Sequence, residues 1–289
     1  MFTPDQLLDL KLQYDTQGFV HLKNLLPAAV LARARAAFDS AGERHGMAVR
    51  AAAVRGQRFY DIPAILDADP VFVDLVDLPQ LLPLLRSTVG EDIALNETSA
   101  RLFFPGPTFT SPFHSDVARV SGVNQAHTPN FLAKVHFFVE DLAPEQGCLA
   151  FIPGSQHFPP LHVDPHRDTL ARSGAVVRVV PRAGDAVLFN THVLHMAQAN
   201  DTPQVRKSII YTYGHFWMKP HSSAIPADRA VFADNPQRQQ LFHVELPDVS
   251  HFARRLDRLD PPTVVEKMQA TGERIARRLL PLRTLPPRA

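Results

Sequence analysis

The chain has a single cysteine, Cys148, among its 289 residues, so it can form no intramolecular disulfide. Such a composition points to a reducing, cytoplasmic location. Neither sign of charge is in surplus: 30 Lys and Arg stand against 29 Asp and Glu, a formal charge of +1. That balance lacks the electrostatic footprint of a nucleic-acid or anionic-membrane partner. No apolar run approaches the ~18 residues needed to span a bilayer. The opening MFTPDQLLDLKLQYDTQGF has no basic segment leading into an apolar stretch, so no signal peptide is expected. Internal repeats and low-complexity segments are also lacking. What remains is a soluble protein, a monomer or homodimer, long enough to build one sizeable core and suited to a small-molecule substrate.

The first third reads as mostly helical. Thr3, Pro4 and Gln6 supply a capping hydroxyl, a first-turn proline and the returning amide of a capping box. That helix should end near Gly18, before a short strand, GFVHL. A second helix starts at Pro27, carries Val30, Ala34, Ala37 and Phe38 on one face, and fades by Gly46. More helical pieces lie between Pro70 and Val89. From about Ile93 to Phe216 the grammar changes to short strands, ARLFF, FLAKVHFFVE, CLAFI, AVVRVV, DAVLFN and VRKSIIYTYG, punctuated by turn residues. Helix and strand do not alternate as a parallel sheet requires. The pattern predicts a mainly β, jelly-roll core with flanking helices. One domain over 1–289 is expected, with 1–92 mostly helical, 93–216 the core, and 217–289 a Pro-rich helical and loop extension. The basic cluster Arg274, Arg277, Arg278 and Arg283 reads as the solvated face of a helix there.

Chemistry-bearing residues begin with PFHSDVARV, where His114 and Asp116 stand two apart. On an extended segment two such side chains share a face and can address one metal ion. The same spacing recurs at His162/Asp164 and His166/Asp168, but in PPLHVDPHRD, where Pro165 forbids a helix and no strand flanks it. A solvated loop is the better reading there. A second cluster, GDAVLFNTHVLHMAQANDTPQVRKSIIYTY, offers His192 and His195 and then Arg206 on the next strand. A third ligand from it would complete two His and one carboxylate on a single face, the arrangement that suits non-haem Fe(II). An Arg one strand away supplies the planar fork that binds a carboxylate.

With these motifs the chain resembles the phytanoyl-CoA dioxygenase family of Fe(II)/2-oxoglutarate-dependent oxygenases, over roughly residues 3 to 215. The resemblance rests on QGFVHLKNLL, the H-x-D at His114/Asp116, EQGCLAFIPGSQHF, and GDAVLFNTHVLHMAQAN through Arg206. It keeps the family's frame at Gly147, Leu149, Pro153, Gly154 and Ser155, with Gln156 inserted before His157. The family's distal His stands five residues before an Asn and eleven before the 2-oxoglutarate Arg; His195, Asn200 and Arg206 meet both spacings and His192 meets neither. The resemblance therefore implies a double-stranded β-helix (jelly-roll, cupin-like) core. His114, Asp116 and His195 would be the catalytic metal ligands, and Arg206 the anchor of the 2-oxoglutarate cosubstrate. His192 is left as a wall or core residue. Two positions depart from the family: Phe104-Pro105 replaces a frequent Lys-Pro, and Ala197 a frequent Ser. Further cosubstrate contacts would then come from strand positions expected to face inward, Asn96, Thr98, Lys134 and His136, the last aligned with an aromatic of the relatives' cosubstrate pocket.

The implied reaction uses Fe(II), 2-oxoglutarate and O2 to hydroxylate an unactivated C–H, with succinate and CO2 as by-products. Asp116 fills the position that related halogenases leave to chloride, which favours hydroxylation. Desaturation, ring closure and epimerisation use the same oxidant. By strand alternation about half of Phe103, Phe104, Phe109, Phe113, Phe131, Phe137 and Phe138 should face the cavity. That predicts a small, partly apolar metabolite, as in natural-product tailoring, rather than an acyl-CoA. Arg119 stands where it could meet an acidic group of the substrate, or simply face solvent. Two other classes remain: a non-redox, metal-dependent hydrolase, which leaves Arg206 unexplained, and a non-catalytic jelly-roll binding protein, which leaves the complete ligand set unexplained.

Overall fold

A computed structural model describes residues 2–106, 113–116, 130–157, 169–170 and 172–244, all within one compact unit, Met1–Glu245. The second H-x-D region, Phe109, Arg119 and the basic C-terminal cluster lie outside the described residues.

Helix α1 (Pro4–Gln17) opens with the expected capping box. Thr3 accepts from the Gln6 amide, and the Gln6 side chain accepts from the Thr3 amide at 2.9 Å. It ends at Gly18, whose φ of 85° is left-handed and whose N–H donates to the Tyr14 carbonyl at 2.9 Å. Strand β1 (Phe19–Leu22) follows, then α2 (Ala28–Arg44), which buries Ala34, Ala37, Phe38 and Ala41 at helical spacing. The next two elements, α3 (Gly46–Val54) and edge strand β2 (Phe59–Ile62), were not foreseen from the sequence. Short helices α4 (Pro70–Asp74) and α5 (Leu82–Thr88) complete the helical part.

The strands are β3 (Ile93–Phe103), β4 (Leu132–Phe137), β5 (Leu149–Phe151), β6 (Val177–Val179), β7 (Ala186–Asn190), β8 (His195–Ala197) and β9 (Arg206–His215). They form two antiparallel sheets, one of six strands in the order β1-β7-β4-β9-β3-β2 and one of three in the order β6-β5-β8. This is the double-stranded β-helix (jelly-roll, cupin-like) core with flanking helices.

Strand alternation divides the six-stranded sheet. On β9, Ile209, Tyr211 and Tyr213 point to the helices, where the Tyr211 hydroxyl donates to the Phe72 carbonyl at 2.6 Å and Tyr213 to Val76 at 2.9 Å. At even positions, Arg206 and Ile210 point the other way and line a cavity of about 370 Å³. A second apolar cluster, including Phe19, Phe138, Phe151 and Phe189, holds strands of the two sheets together. Among the described residues no helix is long and apolar enough to cross a membrane.

Gly18 locks α1 to this core. An added Cβ would lie 2.5 Å from Gln156 Oε1 and 2.7 Å from Val193 Cγ2, on a backbone that already favours glycine. Gly18→Ala is expected to lose roughly 2–4 kcal/mol of stability from left-handed strain plus overpacking. A lower midpoint in chemical denaturation at unchanged slope checks this; an unchanged midpoint contradicts it.

Candidate active site

His114 and His195 face each other across an isolated antiparallel bridge, each amide donating to the other's carbonyl at 3.0 Å. Directly opposed residues of such a pair project to the same side, and the two rings stand 4.4 Å apart, centroid to centroid. Asp116, two residues on, returns to that side, its amide donating to the Thr191 carbonyl at 2.9 Å. Its Oδ1 lies 3.6 Å from His114 Nε2 and its Oδ2 3.7 Å from His195 Nε2. One ligand atom from each of the three lies within 4.8 Å of the others, so the group can hold a metal ion.

The protonation states suit a metal. His195 is buried, and desolvation pushes its imidazole down to about 4, so it is neutral at pH 7. Its Nδ1 lies 3.0 Å from the Val193 carbonyl; donation there leaves the Nε2 lone pair facing the cluster. Burial alone would raise the Asp116 carboxyl. The interactions with His195 and Lys134 outweigh it and hold the group well below the ordinary carboxylate range. Lys134 Nζ stands 2.8 Å from Asp116 Oδ2.

His192 is buried but neither joins this cluster nor lines the cavity; its Nε2 has no partner among the described residues.

The same cavity is lined by Arg206, 2% exposed. One Nη1–H donates to the Gly147 carbonyl, and the guanidinium carbon sits 4.5 Å over the Phe103 ring. Its Nε has no partner, and among the described residues no carboxylate pairs with it. Burial lowers it to about 10, which still leaves it charged at pH 7. Ser208, two residues along β9 and on the same face of the strand, is fully buried with an unpartnered Oγ but is not among the residues lining the cavity. His136 on β4 also lines the cavity, with Nδ1 unpartnered; burial, then the nearby Lys134 and Arg206 charges, depress its pKa well below the usual range. A buried cation lacking an anion, in a cavity it shares with an orphaned ring nitrogen, matches a carboxylate-bearing ligand.

The fold does not turn every expected contact inward. Lys134 and His136 line the cavity; Asn96 and Thr98 do not. Thr98 donates its hydroxyl to the Ser223 carbonyl at 2.6 Å on the opposite face, and the Asn96 side chain packs toward Gly214. A β-bulge between Leu95 and Glu97 is the cause: it adds one residue and inverts the alternation that places side chains. Ser208 was missed from sequence, although R-x-S on a strand puts both side chains on one face. The aromatic wall also differs from expectation. Of the expected phenylalanines that are described, Phe103 alone lines the cavity, joined there by Phe59 of β2, which the sequence did not single out. Phe104 and Phe137 belong to the main core, Phe138 and Phe113 to the two smaller clusters, and Phe131 packs on His215 and Trp217. Arg58, Glu97, Ser99, Arg101 and Lys134 give the cavity a largely polar lining.

Residues 14–208 match the phytanoyl-CoA dioxygenase (PhyH) family. The chain belongs to that family. It is therefore an enzyme of the Fe(II)- and 2-oxoglutarate-dependent oxygenases, with iron, 2-oxoglutarate and O2 as its cofactors. The chain is 25% identical over 243 residues to L-proline trans-4-hydroxylase of Streptomyces griseoviridis, covering 74% of this chain and 88% of that one. It is 23% identical over 225 residues to ectoine dioxygenase of Nocardia farcinica, covering 69% and 75%. Among solved structures, the non-heme alpha ketoglutarate dependent epimerase SnoN from nogalamycin biosynthesis aligns with a TM-score of 0.56 at 21% identity, covering 74% of this chain and 84% of SnoN. HygX from Streptomyces hygroscopicus, with nickel and 2-oxoglutarate bound, aligns with a TM-score of 0.56 at 20% identity, covering 76% and 89%.

Proposed function

We propose that this oxygenase hydroxylates an unactivated C–H of a small metabolite, in the manner of natural-product tailoring enzymes. His114, Asp116 and His195 are the proposed metal ligands and Arg206 the proposed cosubstrate anchor. The observation that carries the assignment is the buried Arg206, without a carboxylate partner among the described residues, in the same cavity as the His/Asp/His cluster. A non-redox metal hydrolase has no use for that cation, and a merely structural jelly roll has no use for either feature.

Bound iron, with 2-oxoglutarate and O2, supplies the oxidant that removes hydrogen from carbon. The chain's own residues do the rest. His195 Nδ1–H, held by the Val193 carbonyl, fixes the ring so that Nε2 addresses the ion. Lys134 restrains Asp116 through Oδ2. Arg206 provides a charge-assisted fork for the far carboxylate of the cosubstrate. His136, neutral and with a free Nδ1, contributes one further hydrogen-bonding atom. Leu149, Ala197 and Ile210 supply apolar walls that limit water near the reacting carbon. The polar remainder of the lining replaces the apolar substrate expected from the phenylalanines with one that carries polar groups. Two relatives are named for small metabolites of that kind, L-proline and ectoine.

A substrate screen that reads succinate release above the uncoupled background, with product masses recorded, tests the reading. A gain of one oxygen on a small metabolite is expected. Loss of two hydrogens would redirect it to desaturation or ring closure, an unchanged mass with inverted configuration to epimerisation. Turnover of a long-chain acyl-CoA alone would overturn the substrate class.

A further inference from the structure

The bulge in β3 is followed at once by a charged residue, Glu97. Before it, Ile93 and Leu95 pack into the main core; after it, Ala100 and Leu102 do, so odd positions face the core first and even positions afterwards. Leu95 stands opposite Tyr213 and Glu97 opposite the next residue, Thr212, with Asn96 inserted between. Without that residue, Glu97 would continue the phase of Ile93 and Leu95 and point its carboxylate into the apolar core. With it, Glu97, Ser99, Arg101 and Phe103 line the cavity at alternate positions. Bulges of this kind re-aim a side chain at a functional site.

The other charges of the lining have counterparts. Asp61 takes Arg101 through two hydrogen bonds of 2.8 Å, and the Arg101 guanidinium stacks 3.7 Å over Phe59. Lys134 pairs with Asp116. Arg206 is the proposed partner of the cosubstrate, and Arg58 has contacts of its own. Glu97 is exposed, and no described cation pairs with it; Thr212 Oγ1 reaches its Oε2 only at 3.4 Å. In register, Glu97, Thr212 and Lys134 form one row across β3, β9 and β4. Two strand spacings separate Glu97 from Lys134, about 10 Å between backbones, and Lys134 touches Asp116. A group held at Glu97 is therefore about one small molecule's length from the metal cluster.

We infer that Glu97 recognises a protonated amine of the substrate, which makes the substrate class a small amine or amino acid. The inference rests on the oxygenase reading above and names the class it acts on. Such a pair is charge-assisted, which strengthens it relative to a hydrogen bond between neutral groups. It also orients the substrate, since an ammonium fixed at one end presents a defined carbon to the metal side.

The test uses the full chain loaded with Zn(II) and 2-oxoglutarate, so that binding is read without turnover. Calorimetry compares small amines and amino acids, L-proline, L-pipecolate, L-ornithine and L-lysine among them, with counterparts in which the amine nitrogen is replaced by oxygen or carbon, such as tetrahydrofuran-2-carboxylate. At least one amine should bind at least about tenfold more tightly than its counterpart, and Glu97→Gln should erase that preference. The exposed, isosteric change leaves folding out of the question, which a thermal melt verifies. If the wild type prefers no amine, or Glu97→Gln keeps the preference, the inference is overturned. Binding of 2-oxoglutarate to the same Zn(II)-loaded wild type reports separately on the oxygenase reading: its absence sinks that reading, whereas its presence without amine preference sinks only the role of Glu97.

Discussion

His195→Ala and Asp116→Ala are each expected to abolish Fe(II)-dependent succinate release, while His192→Ala should retain most of it. The two histidines lie three residues apart, and both are buried, so burial does not distinguish them. Position does. His195 is paired through its backbone with His114 and turns Nε2 toward Asp116, whereas His192 lies away from the cluster with its Nε2 unpartnered. Loss of a direct ligand should lower metal affinity by more than the ~10–100-fold typical of removing an outer hydrogen bond to a ligand. Calorimetry with Mn(II) on each variant, beside the succinate assay, reads both quantities. Activity retained in His195→Ala and lost in His192→Ala would reverse the assignment of the distal ligand.

Arg206→Ala should raise the apparent KM for 2-oxoglutarate by at least about 30-fold. Removing one side of a desolvated charge pair costs roughly 2–5 kcal/mol, and each 1.4 kcal/mol is a factor of about ten. Arg206 also bonds the Gly147 carbonyl and stacks on Phe103, so the alanine variant risks a packing defect. Arg206→Lys keeps a cation and much of the stem but loses the planar fork. An intermediate KM for the lysine variant, with an unchanged melting temperature, would separate cosubstrate binding from structure. Equal 2-oxoglutarate affinity in wild type and both variants would remove Arg206 from the site.

Features set by neighbours in the chain were legible in the sequence, and features set by distant strands were not. The capping box at Thr3 and Gln6 closes within one turn, and the stop at Gly18 is a local backbone requirement, so both could be read directly. Strand β8 has three residues, too few for alternation to show, and only the family spacing from His195 to Asn200 and Arg206 singled out its histidine. Edge strand β2 owes its existence to pairing with β3, forty residues on, which no local pattern records. The inward set on β3 was misjudged because one bulge residue inverts the phase, and a period-two reading has no means of registering an insertion. Phenylalanines clustered near the metal segments in sequence suggest cavity walls, yet three separate apolar clusters absorb most of them. The Lys134–Asp116 pair joins segments whose proximity only the folded sheet creates.

The reciprocal bridge between His114 and His195 carries a thermodynamic consequence. Among the described residues, segment 113–116 meets the rest of the protein through the reciprocal pair with His195, the Asp116 amide and the Ser115 hydroxyl on the Thr191 carbonyl, and the buried Phe113 ring. Any local opening that parts this segment from β8 costs no more than global unfolding. A metal that takes one ligand from β8 and two from this segment binds only when the segment is closed. It therefore adds RT ln(1 + [M]/Kd) to the cost of opening, about 2.7 kcal/mol at a hundredfold excess over Kd. Amide hydrogen exchange at His114 and Asp116 thus becomes a gauge of metal occupancy, slowing as the ion concentration rises while amides of the central strands stay unchanged.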